Sequence, residues 1–418
     1  MATIAPLRAL HYDPSRVGRL TDVVAPPYDV IDGDQRAELE GRSPYNVVRI
    51  DLPAGEDPYA AAAEQLDRWR EQGVVVRDRT PAIWALAQDY TGPDGRRRTR
   101  TGFLARVRVE DYGAGRIRPH ERTHPGPKED RLRLTRATKA NLSPIFSLYD
   151  DPDRTAQEAL AAGTEREPWA TTTDDDGTVN RLWRVDDEAT IATVAEALHP
   201  RELLIADGHH RYETARVYAE EVGGEGAHRY VLMCLVALQD PGLTVFPTHR
   251  LLKGLDSERQ EALAIAIRRD FEIERLDTTG QLAPAHGNHV TLGYIDAHFK
   301  QPFKLRLKDP ALAEAALPDH AEPYRRLDTA VLEALILKGA LKMTDEDIDH
   351  LAGLGYARNF DEALRLVETA KYDAAFFMAP TPVEQVQAVA AAGESMPPKS
   401  TYFFPKVPTG LIFNPLAD

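Results

Sequence analysis

The chain has 418 residues, 43% of them apolar, a single cysteine and a formal net charge of −15. That length allows one large core or, as expected here, two or three ordinary ones, and a lone Cys234 excludes an internal disulfide framework and fits a reducing compartment. The acidic balance disfavours nucleic acid over long range without removing a local basic patch.

The start, Met1-Ala2-Thr3-Ile4-Ala5-Pro6, has neither the basic residues nor the apolar run of a secretion signal, and no segment approaches the roughly 20 apolar residues of a membrane span. A soluble, cytoplasmic protein with no membrane partner is expected; its oligomeric state, monomer or homo-oligomer, is left open. The diproline in Pro26-Pro27-Tyr28-Asp29-Val30-Ile31 predicts a rigid loop. Ala63, Leu66 and Trp69 at helical spacing predict a helix over 59–72, with Gly73 as its stop. Residues 82–90 and 101–109 read as two strands joined at Thr91-Gly92-Pro93-Asp94-Gly95, a hairpin. The run Arg96-Arg97-Arg98-Thr99-Arg100 beside it reads as a charged edge that resists aggregation, or as an anion-binding surface.

Residues 116–149 interleave His, Glu, Lys, Asp, Arg and Asn with prolines before the apolar Leu142-Ser143-Pro144-Ile145-Phe146-Ser147-Leu148-Tyr149, a polar constellation leading into a buried segment that is expected to form a site wall, with His120, Glu121, Thr123, Lys128, Asp130 and Arg131 in a polar loop. Residues 151–180 read as an exposed helix, a turn and the start of a hairpin. Leu203-Leu204-Ile205-Ala206, a turn, a helix over 212–222 and a strand over 230–238 make the best-defined α/β unit. Helix and strands follow over 256–309, a helix over 328–341, and alternating helix, strand and helix over 346–392. The expected class is mixed α/β, with domains at 1–250 and 251–418, the second contributing the Lys399-Ser400-Thr401 loop to the site.

Three segments carry chemistry. In Asp207-Gly208-His209-His210-Arg211 a strand ends and a helix begins, so backbone N–H groups without helical partners and the helix dipole make an anion site. Arg211 adds a planar fork for phosphate oxygens, and either histidine can donate a hydrogen bond or move a proton. Asp207 has a structural alternative as helix N-cap. In Arg118-Pro119-His120-Glu121-Arg122-Thr123-His124 the spacing matches the HExxH of zinc hydrolases, but Pro125-Gly126-Pro127 prevents a helix from continuing through the second histidine. The preferred reading is a loop facing a charged substrate, with Glu121 as general base and Lys128 or Arg131 neutralising phosphate; surface ion pairs are the plainer alternative. Beyond the diproline Pro397-Pro398, Lys399, Ser400 and Thr401 place a cation and two hydroxyls in a phosphate-contacting loop, or else in a capped turn; the segment lacks the glycines of a Walker A loop.

At these residues the chain resembles a family of bacterial and archaeal proteins known by the domain label DUF1015. The pieces are Pro26-Pro27-Tyr28-Asp29-Val30, Pro119-His120-Glu121 with Lys128, Asp130 and Arg131, Ala140-Asn141-Leu142-Ser143-Pro144-Ile145, Ala206 to Tyr212, and Met396 to Tyr402. The Asp207 to Arg211 element is also similar to the signature turn of the ParB and sulfiredoxin superfamily, where such a turn contacts a nucleotide or its phosphates. Some members of that superfamily phosphorylate free L-serine with ADP, ATP or pyrophosphate. The resemblance thus implies a ParB/sulfiredoxin-like core with large insertions and a C-terminal α/β region. It further implies a kinase acting on a small hydroxylated metabolite, with magnesium, and with pyrophosphate or ATP/ADP as donor. Asp207, Gly208, His209, His210, Arg211, Lys399, Ser400 and Thr401 would hold the donor, and His120, Glu121, Lys128 and His210 would act in catalysis. A ParB-like nucleic-acid-binding protein or nuclease, and a non-catalytic phospholigand binder, are the competing expectations. All of these expect His120-Glu121, His209-His210-Arg211 and Lys399-Ser400-Thr401 to line one cleft.

Overall fold

A computed structural model of the chain describes residues 2–92, 95–114, 116–121 and 125–417. Strands that alternate or run continuously apolar pair into two large sheets, one in each of two compact units. The first unit holds the described residues of 1–119, 123–244 and 405–418, the second those of 120–122 and 245–404. The tail therefore belongs with the N-terminal unit: Leu411, Ile412 and Phe413 are buried, and Phe413 exchanges backbone hydrogen bonds with Leu10.

In the first unit the sheet order is Ile117–Arg118, Leu203–Asp207, Ile145–Tyr149, Tyr230–Ala237, Arg97–Arg108, Ile83–Thr91, Val179–Val185, Ala170–Thr173, with Ile4–Ala5 also paired to Arg97–Arg108. The predicted hairpin is present, with Trp84 opposite Leu104 and Thr91 opposite Arg97. Residues of one face, among them Phe103, Ala105, Val107, Ile145, Ile205, Met233 and Leu235, form the core with Leu160, Leu198 and Tyr212 from the covering helices. That is the alternation expected of strands half-facing a core. Cys234 lies fully buried on the other face, where burial pushes its thiol up to about 12, an inert filler.

Two readings of the sequence meet a different structure here. Strand Arg97–Arg108 is interior to the sheet, and Arg100 is 1% exposed, with its guanidinium 4.4 Å from the Phe146 ring centroid and donating to Gln88 Oε1. The basic run is thus not wholly a solvated edge, because the strand alternation turns Arg100 inward. Lys128, Asp130 and Arg131, expected in a polar loop, lie in a helix, Pro125–Thr138; prolines break helix interiors but suit the first turn, where no N–H is required. In the sheet, Ile145–Tyr149 lies between strands Leu203–Asp207 and Tyr230–Ala237, antiparallel to the former and parallel to the latter.

In the second unit the order is Phe271–Arg275, Phe303–Leu307, Thr291–Asp296, Ala374–Phe377, His249–Leu252, Leu354–Ala357, with antiparallel pairings throughout. Both faces are apolar. Leu292, Leu305 and Phe376 pack with the helix Ser257–Asp270 and the segment 328–341, while Leu251, Ile295 and Phe377 pack with Phe360–Glu368. The helix expected over 328–341 begins as Asp328–Leu332 and continues as a wider π-helical stretch, Glu333–Ala340.

Candidate anion site at a strand-to-helix turn

Strand Leu203–Asp207 ends where Gly208 takes φ +97°, and the helix His209–Val222 begins at once, with Gly208 as its N-cap and no side chain capping it. Asp207 is therefore not the N-cap. Its carboxylate instead takes a hydrogen bond from Lys406 Nζ at 3.0 Å and one from Arg211 Nη2 at 3.2 Å. Burial by itself would raise the pKa of Asp207, but the Lys406 ammonium, the Arg211 guanidinium, the Lys406 hydrogen bond and nearby His209 outweigh it and hold the carboxyl well below the usual carboxylate range. Two cations thus face one carboxylate at a helix start.

Arg211 is anchored inward. Its Nη1 donates to Ser143 Oγ at 2.7 Å and to the Pro144 carbonyl, and its buried Nε has no partner among the described residues. Ser143 Oγ also accepts from Thr409 at 3.0 Å. The inner side of Arg211 lines a cavity of about 40 Å³, shared with Asp51, Arg131, Asn141 and Ser143, room for a few water molecules. Arg131 stacks 4.2 Å over the Tyr28 ring, donates to the Asp51 carbonyl at 2.6 Å and pairs with Asp130 at 2.6 Å. Burial raises the pKa of Asp51, with Arg131 and Arg211 pulling against it, and burial pushes the Tyr28 phenol up to about 12. Arg131, expected to face a substrate phosphate, is thus 5% exposed and committed to these neighbours. Of the other expected residues, His209 is buried, His210 is half-buried, and Lys128 lies in the helix Pro125–Thr138, its carbonyl accepting from Thr214 at 3.4 Å.

The second unit brings together two of the other predicted segments. His120 is fully buried, with Nε2 2.8 Å from Thr401 Oγ1 and 3.9 Å from Glu121 Oε1, and its ring meets Phe403 edge to face. Its carbonyl accepts from Met396 N at 2.7 Å. Ser400 is buried and donates to the Pro397 carbonyl at 2.7 Å, with the Thr329 hydroxyl hydrogen-bonded to its Oγ at 2.9 Å, whereas Lys399 is exposed in the left-handed region at φ +55°. The burial of Ser400 makes it a brace of the 397–401 turn. Arg250 extends the cluster, donating to the Pro398 carbonyl at 3.2 Å and lying 5.2 Å over the Tyr356 ring. His124, the second histidine of the HExxH spacing, and Thr123 lie outside the described residues.

Sequence reasoning missed Lys406, Asp51 and the part Ser143 plays. Ser143 stood within a segment already singled out and Lys406 just beyond one, but nothing local assigns either a partner 68 or 199 residues away. Asp51 carries no sequence signal, since only folding buries it. Among the described residues no group of three or more His, Cys, Asp or Glu side chains is placed to hold a metal ion. With Asp207 already paired to two cations, the turn does not fit magnesium held by protein carboxylates.

A family model described as "Protein of unknown function (DUF1015)" matches residues 4–330. No curated protein matches the chain. Among solved structures the chain is similar to a conserved hypothetical protein from Pyrococcus furiosus, at 15% identity and TM-score 0.34, covering 71% of this chain and 92% of that one. It is also similar to a free serine kinase variant in complex with ADP, at 12% identity and TM-score 0.37, covering 71% and 89%. A third likeness is to C-terminally truncated SbnI from Staphylococcus aureus, at 14% identity and TM-score 0.38, covering 73% and 85%. No helix among the described residues is long and apolar enough to cross a membrane.

Proposed function

This chain belongs to the DUF1015 family, and from that premise we propose that it binds a phosphorylated small molecule at the start of the His209–Val222 helix and transfers a phosphoryl group to the hydroxyl of a small metabolite. Free L-serine is the first acceptor to test, with pyrophosphate, ATP or ADP as donor. The observation that carries this reading is the turn itself: Gly208 lets the chain reverse into the helix without a side-chain cap, and Lys406 and Arg211 set two positive charges beside Asp207. Helix-start N–H groups and those charges suit a phosphate. Arg211 holds the turn in place from inside, and Lys406, His210 and the backbone N–H groups are the proposed contacts to the ligand. The ParB/sulfiredoxin-like interpretation of the turn is part of the same proposal.

In the reaction the acceptor oxygen forms a bond to phosphorus as the bridging oxygen of the donor leaves, as orthophosphate from pyrophosphate or as the shortened nucleotide. The hydroxyl proton passes to a general base, for which Glu121 is the proposed residue. Catalysis of this kind rests on positioning and neutralising charge more than on covalent chemistry.

The test is incubation of the full chain with L-serine and each donor, with magnesium or manganese supplied, followed by phosphorus NMR. Phosphoserine is the expected product, and Lys406→Met is expected to lower its rate by about tenfold or more. Failure of every donor to yield phosphoserine sinks the serine version. Donor binding without turnover on any hydroxyl acceptor would instead favour a phospholigand-binding protein.

A further inference from the structure

The second unit contains a cavity of about 350 Å³ unrelated to the turn described above. It lies between the helix Ser257–Asp270 and the ends of the strands Thr291–Asp296 and Phe303–Leu307, with Leu263, Ile267, Tyr294 and Phe303 among its lining residues. Its size and its apolar and aromatic lining are those of a small-molecule site. At its lip Phe299 is 77% exposed in the turn between the two strands, an aromatic ring held in water beside an apolar hollow.

The polar groups of the wall have a sign. Asp296 and Asp373 both line the cavity, against one cation, the exposed Arg268. Each carboxylate is fixed by backbone: Asp296 Oδ1 accepts from His298 N at 3.0 Å and Phe299 N at 2.6 Å, and Asp373 Oδ2 accepts from Leu255 N at 2.9 Å. These bonds use one oxygen of each. Two oriented carboxylates beside an aromatic hollow complement a molecule with an apolar body and a positive head.

We propose that this cavity binds a small amine, an aromatic or branched aliphatic body carrying a protonated nitrogen, with the body on Leu263, Tyr294 and Phe303, the nitrogen toward Asp296 and Asp373, and Phe299 closing over it. The site is separate from phosphate chemistry and stands or falls independently of it.

The test titrates the full chain with phenethylamine, 3-phenylpropanoate and benzyl alcohol, read by calorimetry and saturation-transfer NMR. Phenethylamine is expected to bind at least about tenfold more tightly than the other two. Asp296→Asn, which keeps an oxygen for the turn, is expected to weaken the amine about tenfold and leave benzyl alcohol unchanged. Ala264→Trp fills the hollow and is expected to abolish binding. Gln260→Trp, at an exposed position of the lining, provides the same block should Ala264→Trp fail to fold. Equal affinity for the three probes, or amine binding that survives a tryptophan block in a folded protein, overturns the proposal. So does concentration-dependent self-association that Phe299→Ser abolishes and the amine does not compete with, because the hollow would then serve a second protein copy.

Discussion

Gly208 meets two demands at once. Its φ of +97° is one that side chains rarely adopt, and a Cβ there would sit 2.9 Å from Arg211 Nε and 3.0 Å from its central carbon. Gly208→Ala is therefore expected to lower stability by about 1 to 3 kcal/mol, read from urea unfolding. An unchanged midpoint would show that the turn relaxes without the Arg211 anchor. Asp207 gives a pH signature. Its folded pKa lies below the ordinary 3.8, so its ionised form adds stability above that value and the contribution is lost as pH falls through the folded pKa. Asp207→Asn is expected to lower the Tm at pH 7, with the gap to the parent closing as pH drops below about 4. A gap that stays constant down to acid unfolding would mean that Lys406 and Arg211 do not stabilise the carboxylate.

Among the elements, the helix Pro125–Thr138 shows how composition misleads: its prolines and charges read as loop, yet the prolines occupy the tolerated first turn and the helix carries Arg131 to Tyr28 and Asp51. The strand His249–Leu252 offers a sharper test. His249 is 1% exposed, Nδ1 accepts from Met378 N at 3.1 Å, and burial, reinforced by Arg250, pushes its pKa down to about 4. The unfolded chain takes up this proton near pH 6.5 and the folded one only near 4, so stability is full above about 6.5 and falls between the two. By pH 5 the loss is about 2 kcal/mol. His249→Gln, which keeps an acceptor for Met378, is expected to flatten this slope in Tm measured from pH 7 to pH 5. A slope equal to the parent's would assign the acid sensitivity to other groups.

For the molecule as a whole, the tail is the segment whose importance the sequence hides. Leu411, Ile412 and Phe413 are at most 2% exposed, and Lys406 pairs with Asp207. Three large side chains buried at about 1.5 to 3 kcal/mol each rival the 5 to 15 kcal/mol that holds a typical domain together. Removal of residues 405–418 is expected to leave the first unit without a cooperative thermal transition by circular dichroism, while Lys406→Met alone retains one. A truncated chain with the full-length Tm would show that the tail is an accessory.

The sequence by itself determined the hairpin of Ile83–Thr91 and Arg97–Arg108, the mixed α/β class and the strand-to-helix turn at Asp207 to Arg211, because strand alternation, helical spacing and turn glycines are local signals. It also carried the DUF1015 membership in its short motifs. Only the tertiary structure decided that Arg100 points into the interior beside Phe146, that Arg211 braces Ser143 and Asp207 from inside, and that Lys406 reaches Asp207 across 199 residues of chain. An arginine's chemistry suits a phosphate, a carboxylate or an aromatic face equally well, and its partner is set by which strands become neighbours, a long-range choice made by burial of the sheet rather than by any residue's immediate surroundings.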